Sequence, residues 1–535
     1  MKMRMTSIAL AMIVVLAGGT ITGCNPGTST SSSFDWPSDG PPGGGGNLVV
    51  AGTTELASLE PGEAGSAAHA IPVMRNVFQP LLNRNTKTSA IEPLLATKWT
   101  PIDDTHWQFT LRQGVTWHDG TPLNAKTAAS SLTYIWNPKL TYSSNYVSGK
   151  ARFYAIDDYT LGVELGQTDP LFAARMTMLP LASPTQIAQS PGTLPSHPIG
   201  TGPYEFVSWA PGQNVKLKLY DKSWQAAPGM FDTVEWTFLQ ESQVRAQKVQ
   251  TGEADIALGT TNDQCKASAQ NGARCVGVIS NGIRYLRIDE YHQTTLADLR
   301  IRQAIAYAID RKAIAAAFIT PETGVANNPG SQGMVGFTSD VDFPYDPQKA
   351  VELVKEAAAD GADIKIPLSV KYRVDMFPNV ADIAQTIVTN LKAAGLNAKV
   401  AAETEAVGLD QYRQTNQGKT IEDIPEDRGW LFPARTSSEL FDFSQPASSI
   451  LECDGKFSVY CEPGFTASLE AAKKLLGDER KSAMENLWKK YFAEQVPILP
   501  LTQQTDQYVI SGRVQITPRA DMFLPLAEAR SSRQK

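Results

Sequence analysis

Four side chains with sulfur chemistry fall into two close pairs, Cys265 with Cys275 and Cys453 with Cys461. Thiols so near in sequence can close a small loop as a disulfide or supply half of a zinc site. Zinc would want a C-x-x-C spacing or a neighbouring His, and neither pair has one. Two local disulfides formed outside the cytoplasm are therefore expected, with pairing across the two loops left open. The five histidines, His69, His106, His118, His197 and His292, could do acid–base work or bind metal. None begins an H-E-x-x-H, and the chain has no G-x-S-x-G elbow. His118-Asp119-Gly120 sets an imidazole beside a carboxylate, but Asp-Gly is turn chemistry and a lone His there is more simply structural. Gly200-Thr201-Gly202 has glycines like a phosphate loop, yet Pro203 and a strand follow where a Lys and a helix are required. Asp310-Arg311 reads as a local ion pair of modest worth. No catalytic residues, metal ligands or cofactor are expected, so binding is favoured over catalysis.

The elements that must carry any binding residues divide into two styles. In the first half, Trp107, Phe109 and Leu111 alternate with polar residues as a half-buried strand, and Asn124 can cap a helix running to about Trp136. A helix is expected over 72–82. A hairpin places 204–209 against 215–220 around Pro211-Gly212. The second half alternates helices and strands. Asp298 caps a helix with Ile301, Ile305 and Ile309 along one stripe. A strand over 366–374 precedes a helix marked by Val380, Ile383, Ile387, Val388 and Leu391, which stops at Gly395 before a strand over 396–400. Helices over 466–476 and 478–494 follow, with strand-like pieces near Ile498 and Tyr508. This succession predicts an α/β protein with a mixed, partly parallel sheet.

The chain of 535 residues is too long for one ordinary core. Its net charge of −7 argues against nucleic acid or a polybasic membrane surface as partner. Lys2 and Arg4 precede an apolar run over 8–17, too short to span a bilayer, which needs roughly 20 residues. Ile21-Thr22-Gly23-Cys24 then resembles a bacterial lipobox. That resemblance implies a signal peptide over 1–23 and diacylglyceryl transfer to Cys24. Each buried methylene adds about 0.8 kcal/mol, so two or three acyl chains anchor where one would not. Residues 24–46, rich in Ser, Thr, Gly and Pro, read as a flexible tether.

Several motifs in order carry a wider resemblance. They begin with Ile91-Glu92-Pro93-Leu94-Leu95-Ala96 and the run from Trp107-Gln108-Phe109 through Gly114-Val115-Thr116-Trp117-His118-Asp119-Gly120 to Leu123. Gly200-Thr201-Gly202-Pro203-Tyr204, Gly252-Glu253-Ala254-Asp255-Ile256-Ala257, Arg302-Gln303-Ala304 through Asp310-Arg311, and Pro497-Ile498-Leu499-Pro500-Leu501 follow. Together they resemble the extracellular solute-binding proteins, family 5, the peptide- and nickel-binding lipoproteins of ABC importers. The resemblance implies a two-lobed periplasmic-binding-protein-like fold (type II, cluster C) with an extra subdomain inserted in the first lobe. Lobe I would comprise 47–82, 196–282 and 503–535, the inserted subdomain 83–195, and lobe II 283–502. It also implies capture by lobe closure and delivery to a permease with its ATPase subunits. The protein would be a monomer on the outer face of the cell membrane.

Site residues follow from the same resemblance. The loop after Leu59-Glu60-Pro61 would run beside the ligand at Gly65, Ser66 and Ala67, with Tyr146 offering an aromatic. Thr502, Gln503 and Gln504 would add polar contacts from the crossover strand, or be plain strand surface. Gly429 and Trp430 resemble the family's cleft Gly-Trp, with Phe432 beside them. Peptide binders carry an Asp three residues beyond that Trp for the peptide ammonium, and here that position is Pro433. W-x-x-P resembles the nickel-chelate branch, whose following Tyr-Asp is also absent. Arg435 would suit a carboxylate or phosphate, or else pair with Asp423, Glu426, Asp427 or Glu439. Oligopeptides lead as cargo. The alternatives are an anionic conjugate, a metal chelate, or a non-transport envelope interaction or sensing role.

Overall fold

The computed structural model describes residues 45–531 except 54, 64–66, 86–87, 89, 291–293, 321–322, 375, 404–429, 456 and 522. Among the described residues the main sheet has ten strands, and two of them are unusually long. Arg274–Ile288 and Ile498–Ile510 run antiparallel side by side through the middle of the sheet. The two strand-like pieces expected near Ile498 and Tyr508 are thus one strand. Its polar middle, Thr502 to Gln507, hid the continuity.

On one side of this pair stand Trp430–Ser437, Leu368–Arg373 and Ala398–Glu403. On the other stand Ile256–Leu258, Asn47–Gly52, Thr233–Phe238 and the hairpin Asn214–Leu219 with Tyr204–Ala210. A separate antiparallel sheet has the order Ala96–Pro101, His106–Leu111, Thr160–Leu165, Ala151–Ala155.

Apolar side chains gather around these sheets in separate cores. One, over 283–501, packs Ile301, Ile305, Ile387, Leu391 and Trp488 against the strand residues Val370, Leu431 and Leu499. A second surrounds the four-stranded sheet with Phe109, Trp117, Leu132 and Phe172. A third joins Val50, Tyr204, Leu217, Trp236 and Tyr508.

Local signals explain several boundaries. Asn124 accepts from Thr127 N, while Thr127 Oγ1 accepts from Asn124 N, a capping box that opens the helix Ala125–Ile135. The helix Val380–Ala393 buries its expected stripe and ends before Gly395, whose φ of 95° only glycine adopts freely. The helix expected over 72–82 is instead Ala67–Val77. It stops because Gly202 N donates to Val77 O at 2.9 Å. A Cβ on Gly200 would lie 2.0 Å from that same oxygen, so the Gly-Thr-Gly segment is a close backbone seat for the helix end. His118 completes this seat. Its Nδ1 accepts from Gly200 N at 3.3 Å, and its Nε2 lies 3.0 Å from Gly202 O.

The local ion pair expected at Asp310-Arg311 is not the arrangement found. Asp310 caps its helix by accepting from Ala313 N at 2.9 Å. Arg311 turns inward to donate to Ala326 O and Pro500 O, with Asp342 at 3.5 Å. The helix start claims the carboxylate, and carbonyls of the long strand and of the loop at Ala326 claim the guanidinium. Both expected disulfides are present, Cys265–Cys275 and Cys453–Cys461. Among the described residues no helix is long and apolar enough to cross a membrane.

Candidate functional site on the crossing strands

The long strands pair with two breaks in register, one between Ile279 and Ile283 and one between Arg284 and Tyr285. Arg274 to Ile279 face Ile510 to Thr505, and Ile283 and Arg284 face Gln503 and Thr502. Ser280, Asn281 and Gly282 are left opposite Gln504 alone. Such extra residues bend a strand and re-aim its side chains. The kink is tied on both flanks, because Asn281 N donates to Ala520 O (3.1 Å) and its Nδ2 to Ser438 O (2.8 Å). Gly282 must be small here, since a Cβ would meet Thr436 O at 2.6 Å.

Side chains alternate along strands, so register decides who shares a face. Arg284 lies opposite Arg435 on one neighbour and Thr502 on the other. The same face continues through Ser437 and Gly282 to Gln504 and Asp506, where Gln504 Nε2 donates to Asp506 Oδ1 at 3.2 Å. Two guanidiniums directly across from each other repel. Burial lowers the Arg284 pKa to about 10, with Asp506 opposing that shift and Arg435 adding to it. Burial raises the Asp506 pKa, against the pull of Gln504, Arg284, Arg435 and Ser280 toward the charged form. Arg284 Nη1 donates to Gln503 O at 3.1 Å, and its guanidinium sits 5.3 Å over the Phe377 ring.

Five buried atoms around the kink have no hydrogen-bond partner among the described residues. They are Asn281 Oδ1, Arg284 Nε, Thr502 Oγ1, Gln503 Oε1 and Asp506 Oδ2. An unmade buried hydrogen bond costs about 1–3 kcal/mol, and Arg284 Nε, Thr502 Oγ1 and Asp506 Oδ2 share one face, so that face calls for an occupant.

The wall extends from the kink toward the four-stranded sheet. Ser437 Oγ donates to Glu439 Oε1 at 2.7 Å, and the Glu439 charge adds to the rise that burial imposes on the Tyr146 pKa. Tyr146 is buried, its ring tilted against that of Tyr142 with centroids 5.0 Å apart. Arg84 Nη2 donates to Leu440 O at 2.8 Å, with its guanidinium 4.4 Å over the Phe441 ring. Leu440 itself packs into the core of the four-stranded sheet. Beside these, Arg519 grips Asp521 through Nε (2.8 Å) and Nη2 (2.6 Å), with Arg75 close enough to feel both charges.

Of the expected site residues, Tyr146, Arg435, Thr502 and Gln504 therefore fall along one continuous wall. Gln503 alternates to the opposite face of its strand. Trp430 and Phe432 likewise alternate away from Arg435. Lys371 Nζ lies 3.8 Å over the Trp430 ring, and Phe432 joins the larger core. Ala67 is the first residue of its helix. Gly65, Ser66, Gly429 and Cys24 lie outside the described residues, as do Asp423, Glu426 and Asp427. Sequence reasoning missed Arg284, Asp506, Asn281 and Arg84, and offered Glu439 only as a partner for Arg435. A signal existed for the first, a charge set among Ile283, Tyr285, Leu286 and Ile288 in a strand otherwise fit for a core.

Two groups of strands joined by a shared, kinked pair, with apolar cores to either side, define a mixed α/β, two-lobed periplasmic-binding-protein-like fold. The chain matches the model of the bacterial extracellular solute-binding proteins, family 5, over residues 90–424, and it belongs to that family. It is 30% identical over 325 residues to the glutathione-binding protein of Salmonella typhi, a match covering 58% of this chain and 61% of that relative's length. Among solved structures it is similar to an ABC transporter substrate-binding protein of Listeria monocytogenes, with a TM-score of 0.80 and 21% identity over 92% of this chain and 100% of the other. An ABC transporter-associated periplasmic binding protein of Helicobacter pylori in complex with the peptide STSA has a TM-score of 0.73 and 18% identity, covering 92% and 99%. The family is one of solute-binding proteins and not of enzymes.

Proposed function

We propose that this chain is the substrate-binding lipoprotein of an ABC importer, capturing oligopeptides or peptide-like solutes by lobe closure and handing them to a permease. The observation that carries this reading is the group of unpartnered buried polar atoms, Arg284 Nε, Thr502 Oγ1 and Asp506 Oδ2, on one face of the strands shared by both halves of the sheet. A peptide supplies what they lack, amide donors and acceptors with charged ends. The similarity to a glutathione-binding protein and to a structure holding a peptide supports the same class of cargo. The proposed division keeps lobe I at 47–82, 196–282 and 503–535, the inserted subdomain at 83–195 and lobe II at 283–502. Anchoring would come from a lipid on Cys24, holding a monomer at the outer face of the membrane. Arg435, Tyr146, Thr502 and Gln504 would line the cleft.

An anionic conjugate is the second reading, favoured by Arg435 lying directly opposite Arg284. Native mass spectrometry of freshly purified protein separates the two. A mixed population of co-purified peptides is expected. One defined species without peptide bonds would overturn the peptide assignment and favour the conjugate.

A further inference from the structure

Peptide-type ligands bring an ammonium, and a buried cation needs a carboxylate partner. The position after Trp430 that would supply one by resemblance is Pro433, which can neither accept through its side chain nor carry charge. The kinked strand pair offers another. Asp506 Oδ1 is held by Gln504 Nε2 at 3.2 Å, which fixes the carboxylate and leaves Oδ2 buried with no hydrogen-bond partner among the described residues. On the same face, Arg284 spends Nη1 on Gln503 O, while its Nε–H is buried and has no such partner. Thr502, directly opposite Arg284 in register, adds a hydroxyl that is also unpartnered and 1% exposed.

Asp506 and Arg284 influence each other electrostatically, yet among the described residues no ion pair joins them within 4.0 Å. A pair built only to stabilise the fold would close on itself, since an open buried pair bears the desolvation cost without the contact. One acceptor, one charged donor and one hydroxyl held apart on a single face have the complement of an amino-acid-type ligand.

We propose that Asp506 and Arg284, brought together by the strand kink at Ser280 to Gly282, form a subsite for a zwitterionic solute, Asp506 receiving its ammonium and Arg284 with Thr502 its carboxylate. This rests on the solute-binding reading above and names the ligand chemistry within it. Burial strengthens both contacts, because an ion pair out of water is poorly screened. It also makes the subsite selective. A ligand lacking the ammonium leaves a buried carboxylate unpaired, the situation in which recognition by loss is strongest.

The test is calorimetric titration of the full chain with glutathione and with alanyl-alanine, each beside its N-acetylated form. Acetylation removes the positive charge and keeps the rest. The N-acetyl compounds are expected to bind at least tenfold more weakly. Asp506→Asn should weaken the free-amine form to the level of the acetylated one, and Arg284→Gln should weaken both alike. Equal affinity of wild-type protein for free and acetylated forms overturns the subsite and needs no variant to show it. A preference for the free amine retained in Asp506→Asn, with its melting temperature near wild type, overturns it as well. If neither probe binds, native mass spectrometry decides. A co-purified solute without an ammonium rejects the subsite and leaves solute binding standing. A chain that carries no solute and responds to none of the four probes removes both proposals.

Discussion

On the proposed clamp, Arg84 should act as a latch that works only in the closed form. Its guanidinium reaches from the short strand Leu82–Arg84 to the segment after Trp430–Ser437, donating to Leu440 O at 2.8 Å and covering the Phe441 ring at 4.4 Å. Burial lowers its pKa to about 10, so the side chain remains a cation at neutral pH. A hydrogen bond from a charged donor contributes about 1.5–3 kcal/mol, and a partly desolvated cation–π contact about 0.5–2 kcal/mol. Opening returns the guanidinium to water and recovers much of that sum. A net bias of roughly 1–2 kcal/mol toward closure is left, equivalent to about five- to thirtyfold in the closed-to-open ratio. Phe441 gives a second reason to expect a latch. Its φ of 58° is unfavourable for a bulky residue, and Val335 N helps hold it there by donating to Phe441 O at 3.0 Å. Arg84→Gln should therefore weaken ligand affinity by about five- to thirtyfold, nearly all of it in the dissociation rate, because the latch forms after encounter. Stopped-flow fluorescence measures both rates, and solution X-ray scattering follows the size of the ligand-free and ligand-bound forms. A folded Arg84→Gln protein with unchanged dissociation rate and unchanged scattering would refute the latch.

Three further outcomes test the framework around the site. His118 can accept from Gly200 N and donate to Gly202 O only as the neutral Nε2–H tautomer, and burial lowers its pKa. A depressed imidazole pKa gives stability that is present above about pH 6.5 and lost as pH falls through the folded value. Urea melts between pH 7.5 and 5 should show that loss, and His118→Gln should flatten it. Gly200→Ala would drive a Cβ to 2.0 Å from Val77 O, a backbone atom that cannot yield, and should cost about 3 kcal/mol or prevent folding, as judged by thermal melts. Replacing Cys265 and Cys275 together by Ser removes a link across ten residues of chain and should lower stability by about 2–3 kcal/mol in urea, with ligand affinity unchanged.

Much of the scaffold was legible because its signals are local. Asn124, Asp298 and Gly395 mark helix ends through caps that need no distant partner. The alternation in Leu368–Arg373 and the stripe in Val380–Ala393 encode burial within a few residues. The site was legible only in part. Arg435 and Thr502 could be named from motifs, but the residue between them in space, Arg284, is more than 150 positions from either in sequence, and register alone makes them neighbours. The kink that turns Asp506 toward them arises from a mismatch of strand lengths, Ser280 to Gly282 against Gln504, which no periodicity in either strand announces. The failed expectation of an Asp310–Arg311 pair has the same origin. The preferred partners of Arg311, Ala326 O and Pro500 O, are set by tertiary packing.

The position of the charges also bears on how binding could drive closure. Arg284, Thr502 and Asp506 lie on the two strands that belong to both halves of the sheet, so the proposed closure would move them least. A ligand seated there meets its charged partners before the lobes come together. Such contacts alone cannot favour the closed form, because a ligand shifts an equilibrium only through contacts that differ between the two states. On the proposed mechanism the difference must come from groups that arrive with the moving parts, Tyr146 of the inserted subdomain and Glu439 of lobe II. Their arrival also excludes water, which strengthens the charge contacts already made. Recognition and closure are then separable by mutation. Asp506→Asn should change which solutes bind while leaving the size change on saturation intact. Tyr146→Phe, which removes a buried hydroxyl within the influence of Glu439, should instead reduce the affinity for every solute by a similar factor. Solution scattering of both variants at saturating glutathione tests the division. A selectivity change in Tyr146→Phe, or loss of closure in a folded Asp506→Asn protein that still binds, would contradict it.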